Sequence, residues 1–354
     1  MKIYLLLLSV LLALVLPAQP PAGYYNSAAG QHGAALQQAL HDIIDNHTVV
    51  SYDYLWTAFE TTDKKPNGKV WDMYSDIPGS TPPYEYSFGG DQCGNYNGEG
   101  DCYNREHSWP KSWFSDKSPM YSDLFHLYPT DGYVNNKRSN YPYGKVGSAD
   151  WTSQNGSKLG ESATPGYSGT VFEPIDAYKG DFARSYFYMS TRYLNEDAGW
   201  EGSDMTQGAE LLPWAVTLLL QWNQLDPVSQ KETDRNNTVY GIQKNRNPFI
   251  DHPEYADAIW SPNAGIADYQ VIIPLLASPN PCNESITLSL PLEGEDHPIL
   301  NCVSANGVMV SASYAVTGNT LIVNTGDLPA GLYEILIRFP DKKQSYRSRI
   351  IKHL

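Results

Sequence analysis

Two short runs hold the side chains best suited to chemistry. CYNREHSWPKSWF at 102–114 sets Glu106 beside His107, and DLFHLYPTDGYVNNKRSNYPY at 123–143 sets Asn135 and Asn136 between Asp131-Gly132 and Lys137-Arg138. Hydrolysis of a phosphodiester makes demands that this set can meet. The attacking water must lose a proton near neutral pH, and an imidazole with a pKa near ~6.5 suits that task. A hard divalent cation must neutralise phosphate charge and stabilise the leaving oxygen. Carboxylate and amide oxygens suit Mg²⁺, which keeps several waters and needs few protein ligands; Ca²⁺ and Mn²⁺ accept the same donors. In-line displacement places base and cation on opposite sides of the phosphorus. Adjacent strand residues point to opposite faces, so Glu106 can act through the cation and His107 through the water. Asn135, on a following helix, supplies a second oxygen ligand, and Arg138 or Arg105 a countercharge for the phosphate. A lone Glu-His pair is ordinary surface chemistry and a lone Asn an ordinary turn residue; the reading rests on the constellation. Asp123 and His126 read as hydrogen-bonding core residues, and Trp109, Trp113 and Phe114 as packing.

These residues need a scaffold, and the hydrophobic spacing supplies its outline. In residues 33–46, Leu36, Leu40, Ile43 and Ile44 fall on one helical face. Residues 181–194 and 209–224 also read as helices, the second with Pro213 near its first turn. A further helix follows Asp226-Pro227. Residues 66–104 are rich in Gly, Pro, Asn and Asp and predict loops with short strands, one of them at Tyr84 to Phe88. A mixed α+β domain over residues 19–275 results. From Ser285 onward short alternating runs (SITLSLPL, NTLIVNTG, GLYEILIRF) separated by turns predict a small all-β sandwich, so residues 276–354 form a second domain.

Composition narrows the function classes. Only 18% of the 354 residues are charged against 41% hydrophobic, which excludes a disordered polyelectrolyte. The formal charge of −15 excludes a globally basic nucleic-acid coat protein. Between Tyr103 and Lys145, however, six Lys and Arg face four Asp and Glu, a local surplus of two positive charges. With screening over about 8 Å at physiological salt, this local sign matters more than the distant total.

Residues 1–18, MKIYLLLLSVLLALVLPA, have the charged, apolar and small-residue order of a secretory signal peptide, with cleavage expected after Ala18. The apolar run is shorter than a membrane span requires, and no span is expected elsewhere. Four cysteines suit an oxidising destination. Pairing within each couple, Cys93–Cys102 and Cys282–Cys302, is the simplest of three connectivities, and neither couple has zinc or thioredoxin spacing.

The runs REHSWPKSWF, DLFHLYPT and GYVNNKRSNYPYG, with KGDFARSYFYMSTRY at 179–193 and NRNPFIDHPEY at 245–255, resemble the bacterial endonuclease I family of secreted or periplasmic nucleases. The likeness covers roughly residues 24–265. It implies the ββα-metal, or His-Me finger, fold with surrounding helices, His107 as general base, Glu106 and Asn135 as metal ligands, and Mg²⁺ as the usual ion. It also implies non-specific cutting of DNA and often RNA to leave 5′-phosphates. Some members of that family use an Arg from a cysteine-rich insertion to stabilise the transition state. Here only 27 residues separate His107 from Asn135 and the insertion is missing, so Arg138 is the expected substitute. LASPNPCNESITLSL at 276–290, GLY near the last hairpin and the basic-apolar ending SRIIKHL resemble the C-terminal sorting domain of type IX secretion. That implies a secretion machinery as partner and an extracellular or cell-surface location.

The expected protein is a secreted, metal-dependent, monomeric endonuclease. The alternative is a catalytically silent nucleic-acid-binding or surface-adhesion protein on the same fold, which would have no use for Glu106, His107 and Asn135 together. A phosphatase or zinc protease lacks support, since there is no His-Glu-x-x-His run or two-metal carboxylate cluster in the sequence.

Overall fold

The computed structural model describes residues 20–261, 271–290, 298–304, 309–339 and 344–353. The expected signal peptide lies outside them. The chain divides into two compact units between Gly265 and Ile266.

The N-terminal unit begins with α1 (Gly33–Ile44), which buries Leu36, Leu40 and Ile44 at intervals of four and stops short of the predicted end at 46. Helix α2 (Leu55–Thr62) follows and buries Leu55, Ala58, Phe59 and Thr62. The segment Tyr84 to Phe88 is not a strand. Its backbone makes one cross-chain bond, from Val70 N–H to the Tyr86 carbonyl, and Tyr86 instead packs its ring near that of Tyr103.

Strand β1 (Tyr103–His107) pairs antiparallel with β2 (Leu127–Asp131), and α3 (Gly132–Arg138) leaves directly from the end of β2. Asp131 makes that corner. Its side chain accepts from Val134 N–H at 2.7 Å as the N-cap, while Gly132 N–H donates to the Cys102 carbonyl. Gly132 has no room for a side chain, because a Cβ there would lie 2.7 Å from the Tyr96 ring. A three-stranded antiparallel sheet follows, with β3 (Val146–Thr152), β4 (Lys158–Ser162) and β5 (Thr170–Glu173) in that order.

Helix α4 (Lys179–Arg192) is buried along its whole length. The predicted helix at 209–224 is shorter. A two-residue hairpin, β6 (Thr206–Gln207) with β7 (Glu210–Leu211), takes its first residues. Helix α5 (Pro213–Leu225) then starts with Pro213 in the first turn, where no backbone N–H is needed. Helix α6 (Gln230–Gln243) opens on a capping box between Ser229 and Glu232. Two short helices, α7 (Pro248–Asp251) and α8 (Glu254–Trp260), complete the unit.

The C-terminal unit has two sheets. One orders β13 (Tyr314–Thr317), β14 (Thr320–Asn324), β10 (Ser285–Ser289) and β9 (Ala277–Ser278); the other orders β12 (Met309–Val310), β11 (Ile299–Ser304), β15 (Gly331–Arg338), β16 (Gln344–Lys352) and β8 (Val271–Pro274). Alternate residues of both sheets, including Ile286, Leu288, Leu321, Val323, Ile335, Ile337 and Ile350, meet in one apolar core. Strand β8 lies N-terminal to the boundary read from the sequence, yet pairs in parallel with β16. Cys93 and Cys102 are disulfide-bonded with 5.8 Å between their Cα atoms. The expected Cys282–Cys302 bond is not formed. Both thiols are free and buried in the apolar core, where Cys packs as a small hydrophobe.

Candidate active site

The β1–β2–α3 unit brings the sequence-selected residues to one place. On β1, Glu106 and His107 are consecutive and point to opposite faces. On α3, Asn135 and Arg138 are three residues apart and so share a face. That face lies on β1: Asn135 Nδ2 donates to the Arg105 carbonyl at 3.4 Å, and Arg138 donates to the Glu106 carboxylate and the His107 carbonyl. Two side chains of α3, about 30 positions along the chain from β1, thus meet the strand at Arg105 and at Glu106–His107.

His107 is buried to 6% exposure. Its Nε2 lies 3.2 Å from the Tyr121 carbonyl. A carbonyl only accepts, so in the neutral ring Nε2 carries the proton and Nδ1 holds the lone pair. Nδ1 makes no hydrogen bond to the described residues, which leaves it available to a water. Burial holds the imidazole well below its ordinary pKa, with neighbouring His126 adding to the effect, so the ring is neutral at pH 7. The ring is flanked by Tyr52, stacked at 5.8 Å, and by Tyr121 at 5.4 Å.

Glu106 is buried to 3% exposure. Its Oε1 accepts from the Tyr74 hydroxyl at 2.8 Å and from Arg138 Nη1 at 3.1 Å. Its Oε2 accepts nothing from the described residues. Burial pushes the carboxyl up to about 7, opposed by Arg138 and by the Tyr74 hydrogen bond. Asn135 has the complementary arrangement: its amide N–H is spent on the strand, and its Oδ1 receives no donor among the described residues. Two oxygens, one anionic and one neutral, are therefore left over, which is the donor set of a hard divalent cation.

Arg138 does not stand where the sequence reading put it. The side chain is 1% exposed, and its guanidinium donates inward to Glu106 Oε1, to the carbonyls of His107 and Ser108, and to the Tyr186 hydroxyl, with the Tyr143 ring 4.6 Å away. No face of it is offered to a phosphate. It orients Glu106 and ties β1 to α3.

A further shell was not visible as chemistry in the sequence. His126 Nε2 bonds the Met120 carbonyl at 2.8 Å, next to the Tyr121 carbonyl that orients His107. Asp123 is fully buried and accepts from the hydroxyls of Tyr188 and Tyr193, the Gln243 amide and Phe125 N–H. Burial alone would raise this carboxyl, but His47, His126 and these donors outweigh it and bring it down to about 2. Asp123 and His126 are thus the hydrogen-bonding core residues expected, Asp123 through several donors and His126 through Nε2 alone, and they fix the turn that aims His107. Trp109, Trp113 and Phe114 are buried packing residues, also as expected. One tight group of three His, Cys, Asp or Glu side chains exists among the described residues, His41, Asp45 and Glu196. Arg192 Nη1 lies 3.0 Å from both of its carboxylates, so an internal cation already serves it.

Comparison with known proteins agrees with this geometry. The Endonuclease I family matches residues 32–254, more than half the chain. An extracellular ribonuclease of Bacillus subtilis (strain 168) is 38% identical over 264 residues, covering 71% of this chain and 83% of its own. An extracellular ribonuclease of Bacillus amyloliquefaciens is 37% identical over 256 residues, covering 70% and 81%. An extracellular deoxyribonuclease of Aeromonas hydrophila is 25% identical over 259 residues, covering 69% and 96%. No described helix is long and apolar enough to cross a membrane. The matched span contains β1, β2 and α3 with all their candidate residues, and the chain belongs to the endonuclease I family.

Proposed function

We propose that this endonuclease is secreted and hydrolyses phosphodiester bonds of DNA and RNA without strong sequence preference, through a site of the ββα-metal type built from Glu106, His107 and Asn135. One observation carries the reading: each of the three has its protein-facing atoms satisfied and one lone-pair atom left over, Oε2, Nδ1 and Oδ1, at a single strand–helix corner.

His107 Nδ1 takes a proton from water, and the water oxygen bonds to phosphorus as the bond to the 3′ oxygen breaks, leaving a 5′-phosphate. The Tyr121 carbonyl keeps the required tautomer in place. Glu106 Oε2 and Asn135 Oδ1 are the residues that would hold the cation, with Mg²⁺ the expected ion. When bound, it supplies neutralisation of phosphate charge and stabilisation of the leaving oxygen. Arg138 and Tyr74 hold the carboxylate in orientation and favour its ionised form. The β-sandwich unit serves as a type IX sorting domain, and its resemblance to that class supports this reading.

Purified protein incubated with plasmid and with RNA tests the function. Cutting in Mg²⁺ that stops with chelator, and product ends that accept a ligase without prior phosphorylation, are expected. Absence of cutting of either polymer in any divalent metal would refute the reading. For the sorting role, a chain lacking residues 276–354 should stay inside its producing cell; release of that chain to the medium at normal yield would contradict it.

A further inference from the structure

A row of side chains that reach the surface to different degrees, Arg105 least and Lys111 most, runs past His107 and takes no part in holding it to the strand. Arg105 shares the strand face of His107, two residues away. Its guanidinium lies 3.6 Å from the centre of the Tyr52 ring and 4.4 Å from that of Trp56. The Tyr52 ring is 4.5 Å from that of Tyr121, and the Lys111 ammonium lies 5.8 Å over Tyr121. His107 touches both tyrosines. The order is therefore cation, ring, ring, cation, with the candidate base behind the two rings.

The two cations are under-used by the protein. Arg105 spends one N–H of Nη1 on the Tyr52 carbonyl at 2.9 Å and stands 3.6 Å from Asp53, a carboxylate whose side chain is 97% exposed. Its Nε is buried with no acceptor, and Nη2 donates to nothing among the described residues. A guanidinium held over two aromatic rings with donors unspent is poorly explained by packing alone, because a buried N–H without a partner costs stability. Lys111 pairs with Asp116, but both side chains are half-exposed, and a surface pair of that kind is weak and readily exchanged.

We propose that Arg105, Tyr52, Tyr121 and Lys111 form a track that binds one nucleic-acid strand on either side of the bond being cut. Arg105 and Lys111 hold the phosphates flanking the scissile one, and the two tyrosines support the intervening sugars or bases. The track reads backbone and ring faces, which every nucleotide has, and so deepens the non-specific reading of the site on which it rests. It also supplies the phosphate-facing cation that the inward-turned Arg138 does not.

The test uses the full chain in chelator with a labelled single-stranded oligodeoxynucleotide, at salt from about 50 to 200 mM. Arg105→Gln and Lys111→Gln should each weaken binding about tenfold and flatten the plot of log affinity against log salt by about 0.7, the slope carried by one phosphate contact on a single strand. Arg105→Lys should restore most of the slope. With metal present, both Gln variants should raise KM more than they lower kcat. Folded variants with wild-type affinity and slope would overturn the track while leaving the nuclease reading intact. Variants showing these binding effects beside a wild-type protein that cuts neither polymer would retain the track and overturn the nuclease reading.

Discussion

In the N-terminal unit five arginines, Arg138, Arg184, Arg192, Arg235 and Arg246, are at most 3% exposed, and each lies against a carboxylate, Glu106, Glu232, Asp45, Asp63 and Asp251 in turn. In the C-terminal unit the buried polar side chains among the described residues are Thr325 and Ser348, and the interior is otherwise Ile, Leu, Val, Cys, Tyr and Phe. The two interiors do different work. A buried ion pair gains little net stability over apolar packing of the same shape, but it fails badly when one partner is lost, and so it enforces one geometry. That is what the proposed site needs, since in it Glu106 would present one particular oxygen. An apolar sandwich core specifies fold by alternation and tolerates volume-conserving exchange. The chemistry therefore sits in the unit whose interior is intolerant.

The contrast can be broken by substitution. Arg138→Met should be the most damaging, because it leaves Glu106 buried without its cation. A loss of about 3–5 kcal/mol in urea unfolding is expected, largely recovered in Arg138→Met/Glu106→Gln. A loss below about 1 kcal/mol would show that the pair is not structural. Next is Cys93→Ser, which opens the loop leading into β1; loss of cross-link entropy predicts about 2.5 kcal/mol, checked by melting with and without reductant.

Asp123 gives a pH signature. Its folded pKa near 2 lies below the unfolded value near ~3.9, so its contribution is present above that value and lost as pH falls toward 2. The stability difference between wild type and Asp123→Asn should be on the order of 2–3 kcal/mol near neutrality and should shrink between about pH 4 and 2. A difference that stays constant through that window would contradict the assignment. In the other unit, Ile335→Val should cost only about 1 kcal/mol and leave cutting unchanged.

The comparison also explains what could be read without coordinates. The meeting of Glu106, His107 and Asn135 at one corner is legible because they sit in two contiguous runs and a strand and helix position neighbouring residues by rule. The alternation of the sandwich is legible for the same reason, although the sequence pattern marks no strand at Ile299–Ser304 and starts the second domain after β8, which pairs with β16. Arg138 was misjudged because its type suits a phosphate equally well, and only the docking of α3 on β1 turns it inward. Tyr52, Tyr74 and Tyr121 come from loops and short turns, and nothing in their local spacing marks them as neighbours of the site. The Tyr84–Phe88 segment had strand composition, but its aromatic side chains found partners in tertiary packing rather than in a ladder.

The most direct measurement is single-turnover cleavage of a labelled oligonucleotide by wild type and His107→Ala in saturating Mg²⁺, with binding measured separately in chelator. Removal of a general base predicts cleavage slowed by about 10²–10⁴-fold with affinity unchanged. Cleavage by His107→Ala at the wild-type rate would contradict the central claim that this imidazole activates the attacking water.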